Sequence, residues 1–288
     1  MAGSTTTTLN DLLPQIVAEA MFVASERSIM RGLVKNYSLG TGQGKTVTVP
    51  IYPLQTAAAL TEGDEISNTA VSTNGVTLTV TTAAIRTLVT DLSVAASASS
   101  VVSDIGRLFG EAIARKIDTD LTTQFASLGG ENNYDRAITP ADIFEAVSRL
   151  KIAAVPTEGM VCVIHPAIAY DLKAALTTGG NNPFVAGGGA SDVANEAMRA
   201  GFVGSLAGIP VYETSNITGF DAAAGEYPGA VFHRDALGLA MIGDITVETE
   251  RRASFLGTDI VAACHYGAGV IQSTYGRVLA FDSSIINA

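Results

Sequence analysis

Seven residues near the front, Gly40-Thr41-Gly42-Gln43-Gly44-Lys45-Thr46, hold three glycines, a lysine and two threonines. That composition suits a loop whose backbone amides and lysine cradle a phosphate, the chemistry of nucleotide hydrolysis. The spacing fails. A phosphate loop needs a glycine five positions before the Gly-Lys-Thr glycine; here that position is Leu39, and Gly40 comes one residue late. The flanks fail as well, because a helix N-terminus must follow to supply amides to the phosphates. Instead Thr46-Val47-Thr48-Val49-Pro50-Ile51 alternates polar and apolar residues, the pattern of a strand with one face buried, and Pro50 is foreign to a helix interior. The segment reads as a flexible turn leading into a strand.

The other residues capable of chemistry are scattered. Cys162 and Cys264 sit in apolar runs (MVCVI, VAACHY), as reduced core thiols do, and no CxxC or HExxH accompanies them. His165, His233 and His265 read as structural groups. Ser205 lies in GSLAG rather than G-x-S-x-G, so a nucleophile elbow is missing. Gly187-Gly188-Gly189 has no strand leading directly into it. No catalytic residue, cofactor or metal site is expected.

Composition narrows the alternatives. Of 288 residues, 47% are hydrophobic and only 16% charged, yet no apolar run reaches the length of a membrane span. Contacts with other subunits are the natural place for the surplus apolar surface. With 28 acidic against 17 basic residues, net charge −11, the chain lacks the Lys/Arg clusters that hold nucleic acid; Arg251-Arg252 is the nearest thing to one. It could still enclose nucleic acid behind an acidic wall. The start has no basic region followed by an apolar core, so no signal peptide is expected.

The elements follow from periodicity. Residues 9–32 recur at three and four (Leu12, Leu13, Ile16, Val17, Ala20, Val23, Ala24), with Gly32 as a stop. Residues 38–90 read as strands and turns, with Asn74-Gly75 as a hairpin turn. So long a two-stranded excursion is marginal alone and needs another surface. Residues 103–128 hold one apolar stripe (Ile105, Leu108, Phe109, Ala112, Ile113, Ile117, Leu121, Phe125, Leu128), capped by Ser103 or Asp104 and ended by Gly129-Gly130, giving a helix on the order of 38 Å long. Its opposite face carries Glu111, Arg115, Asp118 and Thr122, expected to be solvated or subunit-facing. An α/β region follows: a helix opened by Thr139-Pro140, a buried strand MVCVI, a helix AIAYDLKAAL, a Gly/Asn-rich loop over 177–191 and a helix near 192–200. A turn and strand (GFVGSLAGIPVYETSNI), a turn over 219–229, then strands (GAVFHRDALGLAMI, ITVETERRASFLG, TDIVAACHYGAGVIQ, GRVLAFD) complete the chain.

Gly201-Phe202-Val203-Gly204-Ser205-Leu206-Ala207-Gly208-Ile209-Pro210-Val211-Tyr212-Glu213-Thr214-Ser215-Asn216 resembles a run found in major capsid proteins of tailed bacteriophages with the HK97-type fold. GKTVTVPIY with the acidic turn and VTLTV resembles that family's extended loop, and IGRLFGEAIARKIDTDL its spine helix. VPTEGMVCVIHPAIAYDLKAAL and AVFHRDALGLAM resemble its later segments, in the family's order and over nearly the whole chain.

The resemblance implies an α+β HK97-like fold: an N-terminal arm (1–37), an extended loop (38–90), a peripheral domain with the spine helix (91–138), an axial α/β domain (139–236) and C-terminal strands shared by both domains (237–288). It implies a non-enzymatic shell subunit of the virion, assembled in the host cytoplasm. Pentamers and hexamers of an icosahedral capsid would enclose double-stranded DNA. An encapsulin-like bacterial compartment shell is the alternative on the same fold. Implied partners are copies of the chain, a portal, a scaffolding protein and, in some members, a decoration protein.

Two departures stand out. Some members weld subunits by a lysine–asparagine bond from the extended loop, but the only lysine in this loop is Lys45, at its base, so non-covalent assembly is expected. Met1 to Asn10 alone precede the first helix, so a separate scaffolding protein, or none, is expected. The loop tip is acidic, and Glu62, Asp64 and Glu65 are the expected inter-subunit contacts, with Arg107, Arg115, Arg251 and Arg252 as candidate partners on another subunit.

Overall fold

The computed structural model describes residues 28–40, 42, 44–52, 55, 57, 59, 63, 65, 70–96, 101–130, 133–134, 136–178, 202–219 and 225–285. The helix expected before residue 28, the loop from 179 to 191 and the helix near 192–200 lie outside the described residues. In chain order the elements are α1 (Met30–Leu33), β1 (Lys35–Leu39), β2 (Thr46–Ile51), β3 (Asn74–Thr79), β4 (Thr81–Thr90), α2 (Asp91–Ala96), α3 (Val101–Thr123), β5 (Asn133–Tyr134) and α4 (Pro140–Ile152). Then come β6 (Met160–Ile164), α5 (Pro166–Thr178), β7 (Phe202–Leu206), β8 (Ile209–Glu213), β9 (Glu226–His233), β10 (Leu237–Arg252), β11 (Gly257–Val270) and β12 (Gly276–Asp282).

Among the described residues three sheets result. One is four-stranded in the order β1-β10-β11-β4, one six-stranded in the order β5-β12-β9-β6-β8-β7, and one is the pair β2-β3. α3 lays Ile105, Phe109, Ile113, Ile117 and Leu121 along the four-stranded sheet, and Phe125, in the turn that follows it, continues the row onto Phe232 of the six-stranded one. Burying each such side chain contributes about 1.5–3 kcal/mol. α4 and α5 cover the opposite face of the six-stranded sheet with Ile143, Val147, Leu150, Ile168 and Leu172. β6 lies between these layers: Val161 and Val163 enter the first core, Met160, Cys162 and Ile164 the second. A strand covered on both faces must be apolar at every position, hence the unbroken MVCVI. α4 starts as expected, at Pro140 behind a Thr139/Asp142 capping box.

Several expectations are corrected. Asn74-Gly75 is not a turn. Both residues lie in β3, opposite Ile51 and Pro50, and a Cβ on Gly75 would come 2.9 Å from the Thr48 methyl. α3 begins at Val101, before Ser103, and gives way at Gln124–Ser127 to a 3₁₀ turn. Leu108 leaves the stripe and is 58% exposed, whereas Asp118 and Thr122, expected on a solvated face, are buried. Gly32 does not stop α1, which runs on to Leu33. The turn expected over 219–229 gives way to β9 at Glu226.

GAVFHRDALGLAMI is two strands rather than one. A 3₁₀ turn at Arg234–Ala236 carries the chain from β9 in the six-stranded sheet to β10 in the four-stranded one. The return, from β11 to β12, runs beside it: the Ile271 and Gln272 amides both donate to the Ala236 carbonyl, at 2.8 and 3.2 Å.

Candidate functional site

The Gly-rich turn meets no helix. Lys45 directly precedes β2, and its carbonyl accepts from the Val80 amide at 2.8 Å, closing the base of the β2–β3 hairpin. Above that base the hairpin stands apart from both large sheets. Leu78 fastens it, buried against Leu39, Val80 and Ala240 with its δ-carbons over Gly238 and Gly269. Beyond Leu78, β2 alternates between exposed and half-buried positions.

The candidate catalytic groups are spent on structure. Burial pushes the Cys162 thiol up to about 12 and also raises that of Cys264, which makes both poor nucleophiles at neutral pH. His233 Nε2 lies 2.8 Å from the Glu158 carbonyl, and its Nδ1 accepts from the Asp235 amide. His165 stacks on Tyr227 at 3.8 Å and accepts from the Ala167 amide; burial lowers its pKa. His265 Nδ1 is 2.9 Å from the Thr82 hydroxyl. Among the described residues no three His, Cys, Asp or Glu side chains converge as metal ligands.

What remains is surface suited to contact. Glu62 and Asp64 lie outside the described residues; Glu65 is exposed. Arg107 and Arg115 are exposed on α3, interleaved with Asp104 and Glu111, and Lys116 pairs with Asp120 at 2.7 Å, so the helix surface carries both signs. Arg115 and Glu111 also line a groove with Ile29, Pro166 and the Glu213–Asn216 turn. Arg251 and Arg252 have partners in their own chain. Arg251 makes a two-pronged pair with Asp91, both contacts 2.6 Å, which lowers the Asp91 pKa. Arg252 meets the buried carboxylate of Asp259 at 2.6 Å, as does Arg86.

Sequence reasoning missed Asp118. Its carboxylate sits on α3 and accepts from the Ser28 hydroxyl, the Ile29 and Met30 amides and the Asn216 side chain. Burial raises its pKa, and these donors offset only part of the rise. It holds the segment entering α1 against α3. No local signal could have found it, because its partners Ser28 and Asn216 lie 90 and 98 residues away.

Residues 73–279 match the family described as phage capsid protein. The comparison with curated proteins finds no match. Among solved structures, the chain superposes on a protein of Mycobacterium phage Che8 with a TM-score of 0.63 and 23% identity, covering 82% of this chain and 84% of that one. It superposes on the capsid of Ralstonia phage GP4 with a TM-score of 0.68 and 11% identity, covering 87% of each. The virus-like particle from Pyrococcus furiosus gives a TM-score of 0.61 and 12% identity over 93% of this chain and 98% of that one. Identities this low speak for the fold, a mixed α+β fold of the HK97 type; the family match speaks for the role. The chain belongs to the phage capsid protein family, as a self-associating structural component of the virion shell and not an enzyme.

Proposed function

We propose that the chain builds an icosahedral shell from pentamers and hexamers, enclosing double-stranded DNA. One observation carries this reading: among the described residues the β2–β3 hairpin pairs with no other strand and is fastened at its base. An isolated two-stranded ribbon is marginal in water, and the surface that supports it lies on a neighbouring copy. The acidic loop tip, Glu62, Asp64 and Glu65, meets Arg107 and Arg115 of α3 on that neighbour. Residues 38–90 thus serve as the reaching loop, 91–138 as the peripheral domain and 139–236 as the axial domain, with 237–288 shared and 1–37 as the arm. A scaffolding protein and a portal complete the assembly. The DNA is held by enclosure, without sequence reading, as the net charge of −11 favours.

Electron microscopy of the purified chain, alone and with its scaffold, tests the reading. Closed shells with five- and six-fold capsomers are expected. Protein that remains monomeric at high concentration overturns it. A shell around protein cargo is the second reading on the same fold; shells that purify with a protein and no nucleic acid support that one.

A further inference from the structure

His233 stands where β9 of the six-stranded sheet hands over to β10 of the four-stranded one, and both of its ring nitrogens are committed. Nε2 lies 2.8 Å from the Glu158 carbonyl, which can only accept, so Nε2 carries the hydrogen. Nδ1 accepts from the Asp235 amide at 3.2 Å and caps the 3₁₀ turn Arg234–Ala236, so Nδ1 carries none. This arrangement requires the neutral ring in one tautomer. The residue is only 8% exposed. Tyr275, in the return connection from β11 to β12, meets the ring edge-on at 5.8 Å. Beside it the Arg234 amide donates to the Gly159 carbonyl at 3.1 Å. One imidazole thus touches both crossings between the two sheets and the loop that precedes β6.

A second proton changes the wiring. Placed on Nδ1, it faces the Asp235 amide, donor against donor, and the turn loses its cap. The Asp235 carboxylate is at hand to take it, with Oδ2 3.6 Å from Nδ1. In the neutral state that carboxylate is held by Lys35, the first residue of β1, at 2.9 Å. The other charged or titratable groups on the elements around the ring are Arg234, whose side chain reaches the Val34 carbonyl at 3.4 Å, the exposed Glu158, Tyr275, and Tyr37 of β1 near Lys35 and Asp235. Histidine is the side chain whose ordinary range of charge change, about pH 5 to 8, spans neutrality. We propose that His233 is a proton-operated catch at the junction of the two sheets. Neutral, it caps the Arg234–Ala236 turn and leaves Asp235 to Lys35; protonated, it draws Asp235 to itself, uncaps the turn and frees the start of β1. The catch belongs to the single subunit and stands apart from the assembly reading above.

Hydrogen exchange of the full chain, read by mass spectrometry and corrected for the intrinsic effect of pH, tests it. Protection of peptides covering the Arg234–Ala236 turn should fall by about tenfold or more between about pH 7.5 and about pH 5.5, while α4 and β6 keep theirs. His233→Asn, whose side-chain oxygen accepts from the Asp235 amide at any pH, should show no such fall. Asp235→Asn removes the group that receives the proton and should move the fall to lower pH. Should either variant fail to fold, the wild-type ring answers alone. Its carbon and nitrogen NMR shifts should pass from the Nε2–H neutral form to the doubly protonated one over the same range, with the Asp235 amide signal moving in step. Protection that stays level in wild type, or that falls equally in His233→Asn, overturns the proposal. So does a ring that stays neutral down to about pH 5, or one that titrates without moving the Asp235 amide.

Discussion

The Asp118 carboxylate, near the C-terminal end of α3, accepts a hydrogen bond of 2.7 Å from the Ser28 hydroxyl, 90 residues earlier in the chain. The same group takes the Ile29 amide at 3.1 Å, so a helical aspartate caps the short helix that begins at Met30. Asp118→Ala leaves these donors without an acceptor in a buried place, and should cost about 2–3 kcal/mol, read as a lower denaturant midpoint.

The pH dependence of that clamp has a definite sign. Burial raises the folded-state pKa of Asp118 above the unfolded value of about 3.9. Its contribution is fully present below that value and is lost as pH rises through the raised one. The advantage of wild type over Asp118→Asn should therefore shrink with rising pH across this window. Denaturant midpoints of the two proteins over a pH series provide the check.

Asp142 behaves in the opposite sense. Burial pushes its carboxyl up, but bonds from Arg136, at 2.6 and 2.9 Å, and from Thr139 outweigh burial and hold it below the ordinary range. Its contribution is present above about pH 3.9 and lost as pH falls through the depressed value. Arg136→Ala should cost about 1 kcal/mol at neutral pH, discounted for the partial exposure of the arginine, and little in strong acid.

The attachment of the β2–β3 hairpin depends on Gly267. A Cβ there would stand 2.3 Å from the Thr79 carbonyl oxygen, a backbone atom that no rotamer change can move. Gly267→Ala should destabilise the subunit by about 1–3 kcal/mol and redirect the hairpin. Both effects are measurable, as a lower melting temperature and as a loss of shells beyond what that melting shift explains.

Reversing the loop tip, Asp64→Lys with Glu65→Lys, should leave subunit stability within about 0.5 kcal/mol. Shell yield should nonetheless fall, because each exposed pair is weak but a shell repeats it at every subunit. Calorimetry of the subunit and microscopy of the particles separate the two effects; normal shells would refute the contact.

Legibility in the sequence tracked how local the cause was. Thr139-Pro140 announced α4 because capping is settled within one turn. MVCVI announced a strand covered on both faces, since no other setting tolerates five apolar residues in a row there. Asn74-Gly75 misled because the local turn signal was overridden by pairing with β2, more than twenty residues away, where Gly75 makes room for Thr48. Asp118 and Thr122 read as solvated because their partners, Ser28 and the Asn216 carbonyl, are 90 and 94 residues distant. Arg251 likewise found Asp91, 160 residues back, before any neighbouring subunit is considered.

The paired connections beside Ala236 have a mechanical meaning. Two straps crossing side by side join the same two slabs along one seam, and α3 lies across that seam with its apolar side chains set into both. The joint is therefore a weld rather than a hinge: swinging one slab against the other would tear open the interior they share.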